Sequence, residues 1–232
     1  MKIYVHNYLE PLKIDSSLYE EKHAKQIGNA FDLPEHHYLS DINLDYWIYK
    51  KSTEDIIGKF QYRKWFLSNK NEKYSKEEIK NILSNHDIMF TAVKSMHDGH
   101  TCSIRMGYYI AHASFDLRLA EQIMAKLYGT QCAEAFSKYL DDSELLVYAN
   151  LYIAKREIII KYYDWMFPIL AEFIKLSSFK SYPGRFQQRA PGYIAERLFS
   201  FWGFASGVKI YQTRMCDDIS DKETKLLRFS CP

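Results

Sequence analysis

The spacing of apolar positions changes along the chain, and those changes mark its elements. "KIYVHN" (2–7) is short and β-prone, a first strand. "SSLYEEKHAKQIG" (16–28) has capping serines, early acids and a closing glycine, which predicts a helix. "NLDYWIYKK" (43–51) sets Leu44, Trp47 and Ile48 on one helical face. "DIIGKFQY" (55–62) reads as a second strand. "SKEEIKNILSNH" (75–86) opens on Ser75 with Glu78 three residues on, a capping box, and "DIMFTAV" (87–93) reads as a third strand. The first 95 residues thus run β, α, α, β, α, β, an order that predicts parallel strands with crossover helices.

The pattern is lost over "KSMHDGHTCSIRMG" (94–107), which predicts a long loop and a lobe boundary near 95–113. Two amphipathic helices follow, 114–129 (Ser-capped, Gly-ended) and 130–142, then a strand-like run "ELLVYANLYIAK" (144–155). "REIIIKYYDWMFPILAEFIKL" (156–176) predicts a long helix bent near Pro168. A cationic loop (177–192), a short aromatic helix (193–205) and a last strand (208–216) complete the reading.

A length of 232 residues suits one large domain, or a domain with an appended lobe. Hydrophobic residues make up 47% and charged ones 26%, enough apolar surface for a globular core. The 19 tyrosines and 14 phenylalanines suit packing, and equally sugar or base binding, where a flat ring and a hydroxyl both help. A net charge of +2 is too balanced for a dedicated nucleic-acid binder, so any cation that matters acts locally. Cys102, Cys132, Cys216 and Cys231 show no CxxC spacing and read as reduced thiols of a cytoplasmic protein. "MKIYVHNYLE" lacks the apolar run of a signal peptide, and no stretch of about 18 apolar residues predicts a membrane span.

Four clusters carry candidate chemistry. "FQYRKWF" (60–66) ends a strand in cations and rings. At the carboxyl end of a parallel strand Arg63 can clamp a diphosphate; the plainer alternative is a surface arginine beside buried aromatics. In "YIAERLFSFW" (193–202), Glu196 and Arg197 point about 100° apart on a helix, so Glu196 can face a site as a general base while Arg197 pairs elsewhere. The alternative is an exposed glutamate favouring the helix N-terminus. "HDGHTC" (97–102) offers His97, His100 and Cys102 but no fourth zinc ligand, and "EHHY" (35–38) reads as a polar loop. "DDSE" (141–144) reads as a solvated turn rather than a metal-holding pair. The chain has no GxGxxG after its first strand, no GxxxxGK[ST] and no GxSxG, which excludes the usual dinucleotide, P-loop and hydrolase-elbow readings.

Four stretches in order resemble a bacterial family catalogued as a domain of unknown function and commonly described as capsular or exopolysaccharide glycosyltransferases, some like galactofuranosyltransferases. Its "QxG" is matched by Gln26-Ile27-Gly28. Its "ELTALYWIWKN" and "GLCHYRRYF" are matched by "DINLDYWIYKK" and "IIGKFQYRKWF". Its "YNMFIMKKEIFDEYCEWLFPIL" and "GFLAERLFNVWL" are matched by "YANLYIAKREIIIKYYDWMFPIL" (148–170) and "GYIAERLFSFWG" (192–203). The family histidine of "HYRR" is Gln61 here, its second arginine is Lys64, and its acidic "GDNISEKN" is reduced to "EHHYLSDIN".

The resemblance implies an α/β, GT-A-like domain over 1–232, with a Rossmann-type nucleotide-sugar half (1–95) and a mainly helical acceptor half (96–232). It implies an enzyme moving a hexose, galactofuranose included, from a nucleoside-diphosphate sugar (a UDP-sugar favoured) to a lipid-linked or polysaccharide acceptor. Inversion, peripheral membrane contact and no nucleic-acid partner belong to the same expectation. Many GT-A enzymes hold a divalent metal on an Asp-x-Asp at a strand end; this strand ends in Gln61-Tyr62-Arg63. No cofactor is thus certain, and Arg63 with Lys64 is expected to replace the metal. Glu196 is expected as base, with Arg197 positioning it or contacting phosphate. Asn150, Tyr62, Gln61 and Tyr193 are expected substrate contacts, and Trp165 a further ring candidate. The rival expectation is an inactive carbohydrate-binding or scaffold protein of the same fold.

Overall fold

Apolar runs flanked by turn residues assemble into a mixed sheet buried on both faces. The computed structural model describes residues 1–8, 12, 14–217 and 225–227. In chain order the strands are β1 (Lys2–Asn7), β2 (Tyr19–His23), β3 (Ile56–Gln61), β4 (Lys64–Leu67), β5 (Ile88–Phe90), β6 (Ala92–Lys94), β7 (Met96–His97), β8 (His100–Thr101), β9 (Leu145–Val147), β10 (Tyr152–Lys155), β11 (Ile210–Gln212), β12 (Arg214–Asp217) and β13 (Lys225–Leu227). The helices are α1 (Ala24–Ile27), α2 (Ile42–Lys51), α3 (Lys76–Asn85), α4 (Ile104–Ala111), α5 (Ser114–Tyr128), α6 (Thr130–Asp142), α7 (Arg156–Leu176), α8 (Gly184–Gln187) and α9 (Ala190–Ala205).

β3 lies at the centre, with β1 parallel on one side and β10 antiparallel on the other. β2 extends the sheet beyond β1, and β5 and β11 extend it beyond β10. Because β10 opposes both β3 and β5, those two run in the same sense as β1. The three strands expected to be parallel are therefore co-directional, but β10 is threaded between β3 and β5. A hairpin from Gln61 to Lys64 carries the sheet on into β4, β12 and β13.

Alternation along the strands divides the core. Ile3, Val5, Phe60, Met89 and Ile153 face one apolar cluster; Tyr4, Ile57, Ile88, Tyr152 and Ala154 face the other, beneath α2, α7 and α9. Gly58 sits where β1 and β10 converge. A Cβ there would lie 2.8 Å from Ile3 Cγ1 and 3.2 Å from Ile153 Cγ1.

Several expectations are corrected. Residues 19–23 form a strand rather than part of a helix. The open edge of β1 offers five-residue parallel pairing, Ile3 opposite Tyr19, and that ladder outweighs local helix preference. Only Ala24–Ile27 is helical, capped by His23 and Gln26. The loop expected over 94–107 contains the β7–β8 hairpin and the first turn of α4. Asp98 and Gly99 both take positive φ (48° and 81°), the turn that an Asp-Gly pair favours. The strand expected over 144–155 is broken at Tyr148–Asn150, where Ala149 (φ 60°) and Asn150 (φ 53°) are left-handed. The expected last strand likewise breaks at Thr213. α5 begins at Ser114 with Ala113 at its cap position, so the serine cap is not formed. α9 starts at Ala190 rather than 193, since Pro191 is tolerated in a first helical turn. Ser75 and Glu78 form the expected capping box on α3. Cys231 lies outside the described residues. Among those residues, no helix is long and apolar enough to cross a membrane.

Candidate functional site

The carboxyl ends of β1 and β3 meet the turn before β10 at one edge of the sheet. Since Tyr152 pairs with Lys59 in an antiparallel register, Asn150 falls level with Gln61. α9 packs across this turn, fixed by Ser200, whose hydroxyl accepts from the Val147 N–H (2.9 Å) and donates to the Glu196 carbonyl (2.7 Å). Between them opens a cleft of about 380 Å³. Gln61, Arg63, Lys64, Asn150, Tyr193, Glu196 and Arg197 all line it. Tyr62 lines an adjoining recess of about 200 Å³ that shares Arg63 and Gln61 with the cleft. The eight residues expected to act in catalysis or substrate contact thus line this cleft and the recess beside it. Trp165 does not; it packs against Tyr128, Tyr162 and Phe201.

Glu196 is held at both oxygens. Oε1 accepts the backbone N–H of Ala149 (2.7 Å), and Oε2 accepts from Arg197 Nη1 (2.6 Å). Arg197 therefore turns back onto its neighbour rather than pairing elsewhere, because it is buried and, among the described residues, it otherwise meets Tyr193 O and the Tyr108 ring. Each carboxylate oxygen keeps a further lone pair for a ligand hydroxyl. The left-handed backbone at Ala149 and Asn150 costs energy in non-glycine residues, and here it aims the Ala149 N–H at Glu196.

Sequence reasoning missed Asp41, His112, Phe186 and Arg189, which also line the cleft. Asp41 stands at the start of α2 above a fully buried Lys59 on β3. Lys59 Nζ donates to Asp41 Oδ2 (3.3 Å) and Asp45 Oδ2 (2.5 Å); Asp45 Oδ1 accepts from Tyr163 OH (2.8 Å). Burial works to raise the Asp41 carboxyl, but Lys59, His6 and Arg189 outweigh it and hold the group below its ordinary value. Burial raises Asp45 to about 6 despite Lys59. His112 is depressed to about 4 by burial and then by Arg197. The spacing "DINLD", two acids four apart at a helix start, is the signal for Asp41 and Asp45. Nothing local signals His112 or Phe186.

Five buried side-chain polar atoms lack a partner among the described residues: His6 Nδ1, His112 Nδ1, Asn150 Oδ1, Tyr193 OH and Arg197 Nε. Four of these five belong to residues lining the cleft. An unsatisfied buried polar atom costs about 1–3 kcal/mol, so their clustering indicates a ligand that completes them.

The donor set at the strand end does not suit a divalent cation. Gln61, Arg63 and Lys64 stand there, and among the described residues no three His, Cys, Asp or Glu are placed to hold a metal. His97 and His100 pair across the exposed β7–β8 hairpin, with His97 against Asp98. His36 contacts His6 and Asn29, and His37 contacts Glu35 and Gln188.

This α/β architecture is the fold of a solved GT-A-type glycosyltransferase. The whole chain superposes on the apo structure of the bifunctional glycosyltransferase WbbM with a TM-score of 0.78 at 17% identity, covering 47% of that protein. The chain thus spans about half the length of that protein. The protein belongs to the family named Domain of unknown function (DUF4422), whose model matches residues 35–206. Core-mannan synthase A of Aspergillus fumigatus, solved with Mn and GDP, gives 11% identity over 85% of this chain and 58% of its own, at a TM-score of 0.35, too low to speak to the fold. No curated protein sequence matches the chain.

Proposed function

We propose that the protein is a glycosyltransferase that moves a hexose, galactofuranose included, from a nucleoside-diphosphate sugar to a polysaccharide or lipid-linked acceptor at a bacterial surface glycan. The observation that carries this reading is the cleft itself. Four cationic side chains (Arg63, Lys64, Arg189 and Arg197) and the anchored Glu196 carboxylate line one space that also holds four unsatisfied polar atoms. Cations at the carboxyl end of parallel-sense strands suit a diphosphate. The WbbM likeness supports the same reading at the level of fold.

In this mechanism Glu196 takes the proton of an acceptor hydroxyl. The acceptor oxygen then bonds to the anomeric carbon as the bond from that carbon to the diphosphate breaks. The leaving charge falls on Arg63 and Lys64, fixed cations that require no reorganisation. Attack from the face opposite the leaving group inverts the anomeric centre. Arg197 holds Glu196 in place. Tyr62, with Tyr8 in the recess, offers ring surface to a nucleotide. UDP-sugars are the favoured donors. The site works at the cytoplasmic face, with peripheral contact to the membrane.

A thermal-shift and turnover screen tests this. The full chain is taken with nucleoside diphosphates and their sugars, with Mn²⁺ or with chelator. The expected result is a raised midpoint with at least one nucleotide, retained in chelator. No shift and no donor turnover would leave the non-catalytic carbohydrate-binding reading in its place.

A further inference from the structure

We propose that Phe186, braced by His112 and Tyr193, is a platform for the acceptor carbohydrate. Sugar binding there stands on the geometry below; the word acceptor rests on the transferase reading above.

The three rings come from separate elements. His112 follows the last turn of α4, Tyr193 is on α9 and Phe186 on α8. His112 stacks on Tyr193 with centroids 4.0 Å apart and planes 25° off parallel, and on Phe186 at 5.3 Å and 23°. Phe186 also meets Tyr193 at 5.3 Å. α8 is tied to the end of α4 by Gln187 Nε2, which donates to the Ala111 carbonyl (2.8 Å). Phe186 is nevertheless 56% exposed. A lone exposed phenylalanine means little. This one packs against two rings at the lip of a polar cleft, contacts that limit the entropy it would lose on binding.

The bracing rings also carry the unsatisfied atoms. His112 Nδ1 and Tyr193 OH are buried without a partner, and so, in the same cleft, are Asn150 Oδ1 and Arg197 Nε. Asn150 and Arg197 are only 6% and 7% exposed. An apolar face flanked by separate donors and acceptors matches a sugar ring, with C–H bonds on one face and hydroxyls at its edge. The three rings line the cleft but not the recess beside Tyr8 and Tyr62, which leaves that recess for the donor nucleotide.

Saturation-transfer NMR on the full chain provides the test. The probes are methyl glycosides of β-galactopyranose, β-glucopyranose, α-mannopyranose and α-rhamnopyranose, and separately UDP. At least one glycoside is expected to give signals that fall about five- to tenfold in Phe186→Ala and return in Phe186→Trp, while UDP signals stay unchanged. The thermal midpoint of Phe186→Ala, whose ring is largely in solvent, checks that the fold is intact. Three results would overturn the platform: no glycoside bound, glycoside signals indifferent to Phe186, or UDP signals falling with them. Glycoside binding that depends on Phe186, in a protein blind to nucleoside diphosphates and to sugar donors, would remove the transferase reading and leave the platform standing.

Discussion

At the scale of single residues, the cleft separates groups that act on a ligand from groups that hold them. Glu196→Gln keeps the shape and the Ala149 bond but cannot take a proton. Its kcat is expected to fall about 10²- to 10⁴-fold, read by single-turnover transfer, with a lowered thermal midpoint because the buried Arg197 loses its carboxylate. Arg63→Ala is expected to lower kcat about 10²- to 10³-fold, because it removes a fixed cation from the leaving diphosphate. Lys59 belongs to the second group. Lys59→Met would leave Asp41 and Asp45 buried without their cation, and is expected to cost about 3–5 kcal/mol in denaturant unfolding. An unchanged midpoint in that variant would mean that the carboxylates are satisfied some other way.

At the scale of elements, β3 is the piece on which the site depends. It is hydrogen-bonded on both sides, carries Lys59 beneath the cleft and ends in Gln61 at its rim. Its centre is Gly58, where Ile3 and Ile153 close over the backbone. Gly58→Ala is expected to destabilise by about 1–3 kcal/mol through overpacking, checked by chemical denaturation. α9 is the other positioning element. Ten of its sixteen residues are buried, so it behaves as a core helix, and its few polar positions are spent on the turn at Tyr148–Asn150 and on the cleft.

At the scale of the whole molecule, buried titratable groups set the response to acid. Burial depresses His6 to about 3 and His112 to about 4, both from an ordinary 6.5. Between those values and 6.5 the unfolded chain binds more protons than the folded one, so this stability is lost as pH falls. Each group contributes a slope of about 1.4 kcal/mol per pH unit within its window. Asp41, held low, acts in the same direction, and its contribution is also lost in acid. Asp45, raised to about 6, acts oppositely between about 4 and 6, since its folded form binds the extra proton. Between pH 7 and pH 4 the two histidines outweigh it, and Asp41 adds its loss only below that range. The thermal midpoint is expected to fall from pH 7 to pH 4, and less steeply in His6→Gln; a flat profile would contradict the assignment of neutral buried imidazoles.

Much of this protein was legible in the order of its residues. The helices at 43–51, 75–86, 130–142 and 156–176 follow from apolar spacing and from the Ser75–Glu78 cap, which are local causes with local effects. "FQYRKWF" and "AERLF" pointed to residues that do share a cleft; their residue types marked them as candidates, and the family resemblance, not the local pattern, set them above an exposed arginine and an exposed glutamate. Other features depended on what the chain meets in space. Residues 19–23 became a strand because β1 had an open edge. β10 entered the sheet between β3 and β5, which no local pattern announces. Arg197 turned onto Glu196 because burial left it no better anion. His112 and Phe186 were brought together by packing of α4, α8 and α9 alone. The sequence by itself determined where helices and strands can form and which side chains can do chemistry. Only the tertiary structure decided which of them meet, since pairing and burial are set by partners distant along the chain.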